Sequence, residues 1–167
     1  MSIQLAVAPI AWSNSDLPEL GGKTSLETCL LESRKAGFTG TETGVKYPLD
    51  AEILGPLLKT HGLQLASGWF SGTLRECSVE QEFENLRQIL TTFKALNAPV
   101  VIYAETSSSV QSQQNIPVSQ KPVMPDAEFP EYGRKLTEVA DRMAEFGVRM
   151  SYHHHMGTVI ETEREID

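Results

Sequence analysis

Three of the four histidines in this sequence are consecutive, His153, His154 and His155. Neutral imidazole is a common ligand of divalent transition metals and a general acid or base near neutral pH. The run follows a strand-like segment, and side chains alternate along a strand, so His153 and His155 should share one face and His154 the other. A purification tag sits at a terminus, which this run does not; a set of satisfied structural histidines is the plainer alternative. As a metal site the run is incomplete. Two ligands on one strand do not fill a tetrahedral or octahedral shell, so the rest must come from other strands.

Glu42 closes the weakly strand-like run Thr39-Gly40-Thr41-Glu42-Thr43-Gly44, and Lys46 follows four residues later. A carboxylate and an ammonium near a strand end could orient hydroxyls or lower each other's cost of burial; a surface ion pair of little weight is the bland reading. Glu105 follows the apolar run Val100-Val101-Ile102-Tyr103-Ala104 and opens a long polar segment, as either a solvated loop charge or a substrate-binding group. Trp12 and Trp69 both follow strand-like runs among small or polar neighbours. Their rings would suit the C–H faces of a cyclic polyol, or would pack in the core. Cys29 and Cys77 lack basic neighbours, so no nucleophile is assigned. Far apart and without a C-x-x-C, they suggest no disulfide or zinc knuckle, but buried, reduced thiols.

The elements that must position these residues alternate. Ile3 to Pro9 reads as a first strand, closed by Pro9 and the turn-rich Ser13-Asn14-Ser15-Asp16. Thr24-Ser25-Leu26-Glu27 fits a capping box ahead of a helix to Ala36, with Gly37 as its left-handed stop. A strand over Phe38–Thr43, a helix over Asp50–Thr60 ending near Gly62, and a strand over Leu63–Trp69 follow. Ser78-Val79-Glu80-Gln81 is a second capping box, opening a helix to Leu96, and Val100–Tyr103 reads as a buried parallel strand. The stretch Thr106–Met124, rich in Ser and Gln, is long for a connection, and such loops are functional lids or disordered. A helix from Pro125 to Phe146, stopped by Gly147, leads to a strand over Val148–Tyr152. Thr158-Val159-Ile160-Glu161 reads as a third capping box, and the chain stops soon after, apparently just inside a helix.

Strand–helix repetition predicts an α/β fold with parallel strands joined by right-handed crossovers. An open doubly wound sheet and a (β/α)8 TIM barrel compete. The absence of a G-x-G-x-x-G or P-loop pattern weakens nucleotide-binding versions of the open sheet. Polar and charged residues gather instead where each strand ends (Trp12, Glu42, Trp69, Glu105, His153–His155), as on the C-terminal face of a barrel. A barrel needs about 250 residues, so residues 1–167 are expected to be a single domain that is incomplete at the C-terminus: a partial (β/α)8 barrel with about its first five β/α units. Unfinished, it would leave open strand edges suited to pairing.

The 167 residues hold 14 Lys+Arg against 22 Asp+Glu, a net charge of −8. An acidic chain without a basic stripe disfavours nucleic acid. No apolar run approaches the roughly 20 residues of a membrane span, and the start, Met1-Ser2-Ile3-Gln4-Leu5, shows no secretory leader. A cytoplasmic protein is expected, with neither nucleic-acid nor membrane partners and with homo-oligomer assembly left open.

Four segments together carry a specific resemblance: Ala8-Pro9-Ile10-Ala11-Trp12-Ser13-Asn14, Asp16-Leu17-Pro18-Glu19-Leu20-Gly21-Gly22, Ser67-Gly68-Trp69-Phe70-Ser71-Gly72 and Tyr152-His153-His154-His155-Met156-Gly157-Thr158. With them the chain resembles the inosose dehydratase family of bacterial inositol degradation, within the xylose-isomerase-like barrel superfamily. The resemblance implies a (β/α)8 barrel that removes water from 2-keto-myo-inositol, a cyclic polyol ketone, to give a trihydroxycyclohexane-dione. It also implies a divalent metal, manganese or cobalt, and glutathione. Residue by residue, His153 stands where related barrels carry a metal-ligating glutamate. His155 matches a substrate-facing histidine, and Glu42 and Lys46 match a Glu-x-Gly-x-Lys pattern in which Thr41 and Thr43 replace apolar residues.

The chemistry implied fits these residue types. Loss of water β to a ketone needs a base at the α-proton, stabilisation of the enolate oxygen, and an acid for the departing hydroxyl. His153, His155, Glu42 and Lys46 are the catalytic candidates, with acid and base unassigned; Trp12, Trp69 and Glu105 are the substrate-binding ones. An isomerase or epimerase of a ketose on the same scaffold is the alternative enzyme, and a catalytically inactive truncated fragment the alternative of another class. A DNA-repair endonuclease, also of this superfamily, is disfavoured by the charge.

Overall fold

The computed structural model describes residues 3–167; Met1 and Ser2, which head the segment read for a leader, lie outside it. Strands and helices alternate as β1 (Ala6–Val7), α1 (Leu26–Lys35), β2 (Gly40–Thr43), α2 (Ala51–Thr60), β3 (Gln64–Gly72), α3 (Val79–Ala95), β4 (Val100–Glu105), α4 (Phe129–Phe146), β5 (Arg149–Tyr152) and α5 (Glu163–Ile166). Hydrogen-bonded neighbours follow sequence order, β1-β2-β3-β4-β5, and the β1–β2 and β2–β3 pairs are parallel. That order is what successive right-handed β/α crossovers produce. The chain divides into two compact units, Met1–Trp69 with Gln88–Val101, and Phe70–Arg87 with Ile102–Asp167. Among the described residues no helix is long and apolar enough to cross a membrane.

In the first unit β1 is shorter than the apolar run that suggested it. Pro9 has no N–H to give a ladder and opens a 3-10 turn over Pro9–Ala11 instead. Pairing starts at Leu5, whose carbonyl accepts from Thr39 N at 2.9 Å and Gly40 N at 3.2 Å. The cap of α1 lies one residue later than the capping box placed it. Ser25, not Thr24, accepts from Thr28 N at 3.0 Å, and Glu27 reaches His61 Nε2 at 3.2 Å rather than back to the cap. Asp50 caps α2 through Glu52 N at 2.8 Å. Gly37 (φ 96°) and Gly62 (φ 65°) adopt the left-handed conformation that ends a helix. The core of this unit is Leu30, Leu54, Leu58, Leu63, Leu65 and Phe93, each worth about 2 kcal/mol of transfer free energy when enclosed.

In the second unit α4 starts at Phe129, after a 3-10 turn over Asp126–Glu128. It buries Tyr132, Val139 and Met143 along one stripe and stops at Gly147 (φ 107°). The third capping box is not the one expected. Thr158 turns its hydroxyl to the carbonyls of His155 and Ile160, and the reciprocal cap is Thr162 with Glu165, opening α5. The polar segment 106–124 is ordered, held at three places. Val110 N donates to Gly157 O at 2.9 Å, Met124 is buried, and the Lys121 ammonium donates to Thr158 O at 3.2 Å and Glu165 Oε1 at 2.6 Å.

Three variants test this packing and its electrostatics. A Cβ at Gly72 would lie 2.0 Å from the ring of Tyr103, itself fully enclosed, so Gly72→Ala should cost about 2–3 kcal/mol in urea unfolding. Gly133 in α4 has open space around it, so Gly133→Ala should stabilise by about 0.5–1 kcal/mol. Burial alone would raise the Glu165 carboxyl, but the Lys121 ammonium and the N–H groups of Thr162 and Glu161 outweigh it and hold it at about 2. The folded value lies below the unfolded one, so this contribution is complete above about pH 5 and is lost as pH falls through 4 towards 2. Glu165→Gln should therefore cost about 2 kcal/mol at pH 7 and nothing at pH 2.

Candidate active site

In the first unit the site is built around a bulge. β2 and β3 pair as Thr41↔Leu65 and then Glu42↔Ser67, so Ala66 is an extra residue on β3. Side-chain direction alternates along a strand, and one inserted residue re-aims everything after it. Ser67 thereby stands opposite Glu42 and donates from Oγ to Glu42 Oε1 at 2.6 Å. Ser67 is buried and Glu42 half-buried. The next pair, Thr43↔Gly68, requires the glycine, since a Cβ there would lie 1.9 Å from Thr43 Oγ1.

Lys46 is not a partner for the Glu42 carboxylate. Its ammonium donates to the carbonyls of Gly22 at 2.9 Å, Gly21 at 3.4 Å and Thr24, tying down the loop before α1. Trp12 is half-buried, with Nε1 donating to Glu32 Oε2 at 2.6 Å. Trp12 and Lys46 line the same small recess, alongside Tyr47 and Cys29. Trp69 lies near the end of this unit, half-buried, in β3. A Cβ at Gly40 would meet Ala6 Cβ at 3.1 Å, so the glycine serves the β1–β2 approach.

In the second unit Glu105 is fully enclosed. Oε1 accepts from Ser107 N at 3.0 Å and from the Ser107 hydroxyl, and Oε2 accepts from Arg75 N at 3.2 Å. Burial raises this carboxyl above the usual range, and the Ser107 and Arg75 donors partly offset that. Sequence reading missed its neighbour Glu82, also fully enclosed. Glu82 Oε1 accepts from Thr73 N at 2.8 Å and from the Tyr103 hydroxyl at 2.6 Å. Lys135 of α4 donates to the carbonyls of Leu74 and Cys77, the latter at 2.6 Å. The segment after β3, Thr73–Cys77, is thus gripped by Glu82, Glu105 and Lys135 from three elements. The signal for Glu82 was available: it falls in the apolar stripe Val79, Leu86, Ile89, Phe93 of α3, where an ionisable residue must find buried donors.

The histidine run departs from strict alternation because β5 ends at Tyr152. His153 N still donates to Tyr103 O at 2.8 Å. Beyond it the ring of His153 stacks on that of His154 with centroids 6.1 Å apart and lies tilted 5.5 Å from that of His155. His153 and His154 are exposed and His155 half-buried; His155 Nδ1 contacts Met156 O at 2.9 Å. His154 lines an open cleft of about 850 Å³, with Phe129, Tyr132, Tyr152 and Ile166. Cys29 is buried as expected and Cys77 only half so; both are free thiols, and burial pushes both upward. Among the described residues no three His, Cys, Asp or Glu side chains come together as a metal-binding group. The donors present do not by themselves fit a divalent cation.

No family model matches the chain. Rhizopine catabolism protein MocC of Rhizobium meliloti is 50% identical over 167 residues, covering 100% of this chain and 51% of that protein. An inosose dehydratase of Geobacillus thermodenitrificans is 40% identical over 166 residues, covering 99% of this chain and 56% of its own. The chain therefore spans about half the length of the curated relatives it matches. Among solved structures, a xylose isomerase-like TIM barrel protein from Mycobacterium smegmatis in complex with magnesium aligns with a TM-score of 0.70 at 17% identity, over 98% of this chain and 58% of its own. By sequence this chain is a relative of the proteins named inosose dehydratase and MocC, and its α/β fold is that of the matched part of xylose isomerase-like TIM barrels.

Proposed function

We propose that the protein carrying this sequence is a carbon–oxygen hydro-lyase that removes water from an inosose, 2-keto-myo-inositol, to give a trihydroxycyclohexane-dione in inositol catabolism. What carries the reading is 40% identity with a protein named inosose dehydratase over 99% of this chain and 56% of that protein. MocC, at 50%, favours as second reading an enzyme of rhizopine catabolism. Residues 1–167 are read as one domain of a cytoplasmic protein whose partner is a small cyclic polyol ketone.

The residues supply what such an elimination needs. Glu42 offers a carboxylate oriented by a neighbouring hydroxyl, suited to taking a proton from carbon or holding a substrate hydroxyl. His153 and His155 offer imidazoles that can give or take a proton near neutral pH. Trp12 and Trp69 offer ring faces for the C–H side of the substrate. Glu105 acts through the segments that it fixes, Arg75 and Ser107, and Lys46 through the loop that it ties down. A divalent cation, manganese or cobalt, would supply Lewis acidity, and glutathione is proposed with it. His153 is the one donor proposed for the cation, and no step is routed through either group.

Incubation with 2-keto-myo-inositol and manganese should generate the absorbance of a diketone, with a product lighter by one water. Glu42→Gln, His153→Ala and His155→Ala should each lower the rate by about 10²-fold or more. An unchanged product mass would turn the reading to an isomerase or epimerase. No absorbance change with metal verified as bound would end the hydro-lyase reading.

A further inference from the structure

We infer that Ser67 is a positioning residue, delivered by the β3 bulge to fix the Glu42 carboxylate with Oε1 held and Oε2 turned to the reacting proton. The inference rests on the reading of Glu42 as a reacting group and extends it to a residue assigned no role so far. Three observations carry it independently of that reading.

The first is the register. In an unshifted register Glu42 would stand opposite Ala66, which has nothing to donate; with Ala66 bulged out, it stands opposite Ser67. The second is the hydrogen bond, Oγ to Oε1 at 2.6 Å, short as expected for a hydroxyl donating to a carboxylate. The third is what the bulge demands around it. The shifted register brings Thr43 against position 68, and only glycine leaves room there. A bulge interrupts the ladder and leaves one residue unpaired, so it is a costly place to put a serine that merely fills space.

The geometry divides the carboxylate between two tasks. Oε1, committed to a buried hydroxyl, cannot rotate away without breaking that bond. Oε2 is then presented in one orientation, which shortens the search for a productive approach. The proton stays on Ser67 Oγ throughout; Ser67 neither attacks nor ionises.

The test compares Ser67→Ala and Ser67→Thr with the wild-type chain. In the carbon NMR spectrum at pH 7, the Glu42 carboxyl resonance should move in S67A and return towards its wild-type position in S67T. In the dehydration assay S67A should lower kcat about 10-fold with KM changed less than about 2-fold, and S67T should recover most of the loss. In a Glu42→Gln background S67A should cost nothing further. An unmoved Glu42 resonance in S67A overturns the inference, as does a loss in S67A that repeats in full in the Glu42→Gln background. If Glu42→Gln keeps the wild-type rate, the catalytic reading of Glu42 fails instead, and the resonance still decides whether Ser67 holds the carboxylate.

Discussion

Two carboxylates, Glu82 and Glu105, are removed from water entirely in the second unit, and a buried carboxylate persists only where donors converge on it. The shortest contacts come from Thr73 N, Arg75 N, Ser107 N, the Ser107 hydroxyl and the Tyr103 hydroxyl, with longer ones to Glu82 from the Thr73 hydroxyl, Cys77 and Asn85. Most belong to loops, so the loops have no freedom to be elsewhere. Tyr103 extends the constraint. Its hydroxyl, kept protonated by burial and by the glutamate beside it, donates to Glu82, and its ring occupies the space that a side chain at Gly72 would need. Lys135 closes the arrangement from α4 by holding the carbonyls of Leu74 and Cys77. One polar cluster thus determines the course of the chain after β3 and after β4, where barrel enzymes carry their chemistry.

The first unit solves the same problem with a different device. There a serine is brought to a half-buried glutamate by an inserted residue, and a glycine absorbs the crowding that the insertion causes. The Lys46 ammonium goes to three carbonyls, so the basic residue nearest Glu42 in sequence serves the backbone. Side chains that sequence spacing pairs by charge are in fact partnered by hydrogen-bond geometry.

Much of the architecture was readable because it rests on local rules. Alternating apolar runs and amphipathic stretches placed all five strands, and Gly37, Gly62 and Gly147 marked three helix ends through the left-handed backbone that they alone accept readily. Finer features were not readable, since they depend on which of several equivalent residues wins. Ser25 displaces Thr24 as a cap and Thr162 displaces Thr158, because each adjoining hydroxyl had an alternative acceptor or register. The bulge at Ala66 is a matter of pairing with β2 and leaves no trace in the periodicity of β3, so the Ser67–Glu42 pair could not be foreseen. The histidines were found by type, but the ring contacts of His153 with His154 and His155 were not, since strict alternation stops where β5 ends at Tyr152. Glu82 was legible in principle, as a charge in an apolar stripe.

Glu82 and Glu105 hold the loops that follow β3 and β4 through backbone N–H groups. Amide hydrogen exchange at neutral pH reads this directly at Thr73, Arg75 and Ser107, none of which lies in a helix. Protection of about 10³-fold over a free peptide, lost at Thr73 in Glu82→Ala and at Arg75 and Ser107 in Glu105→Ala, is the expected result. Exchange of these three amides at free-peptide rates in the wild-type protein would contradict it.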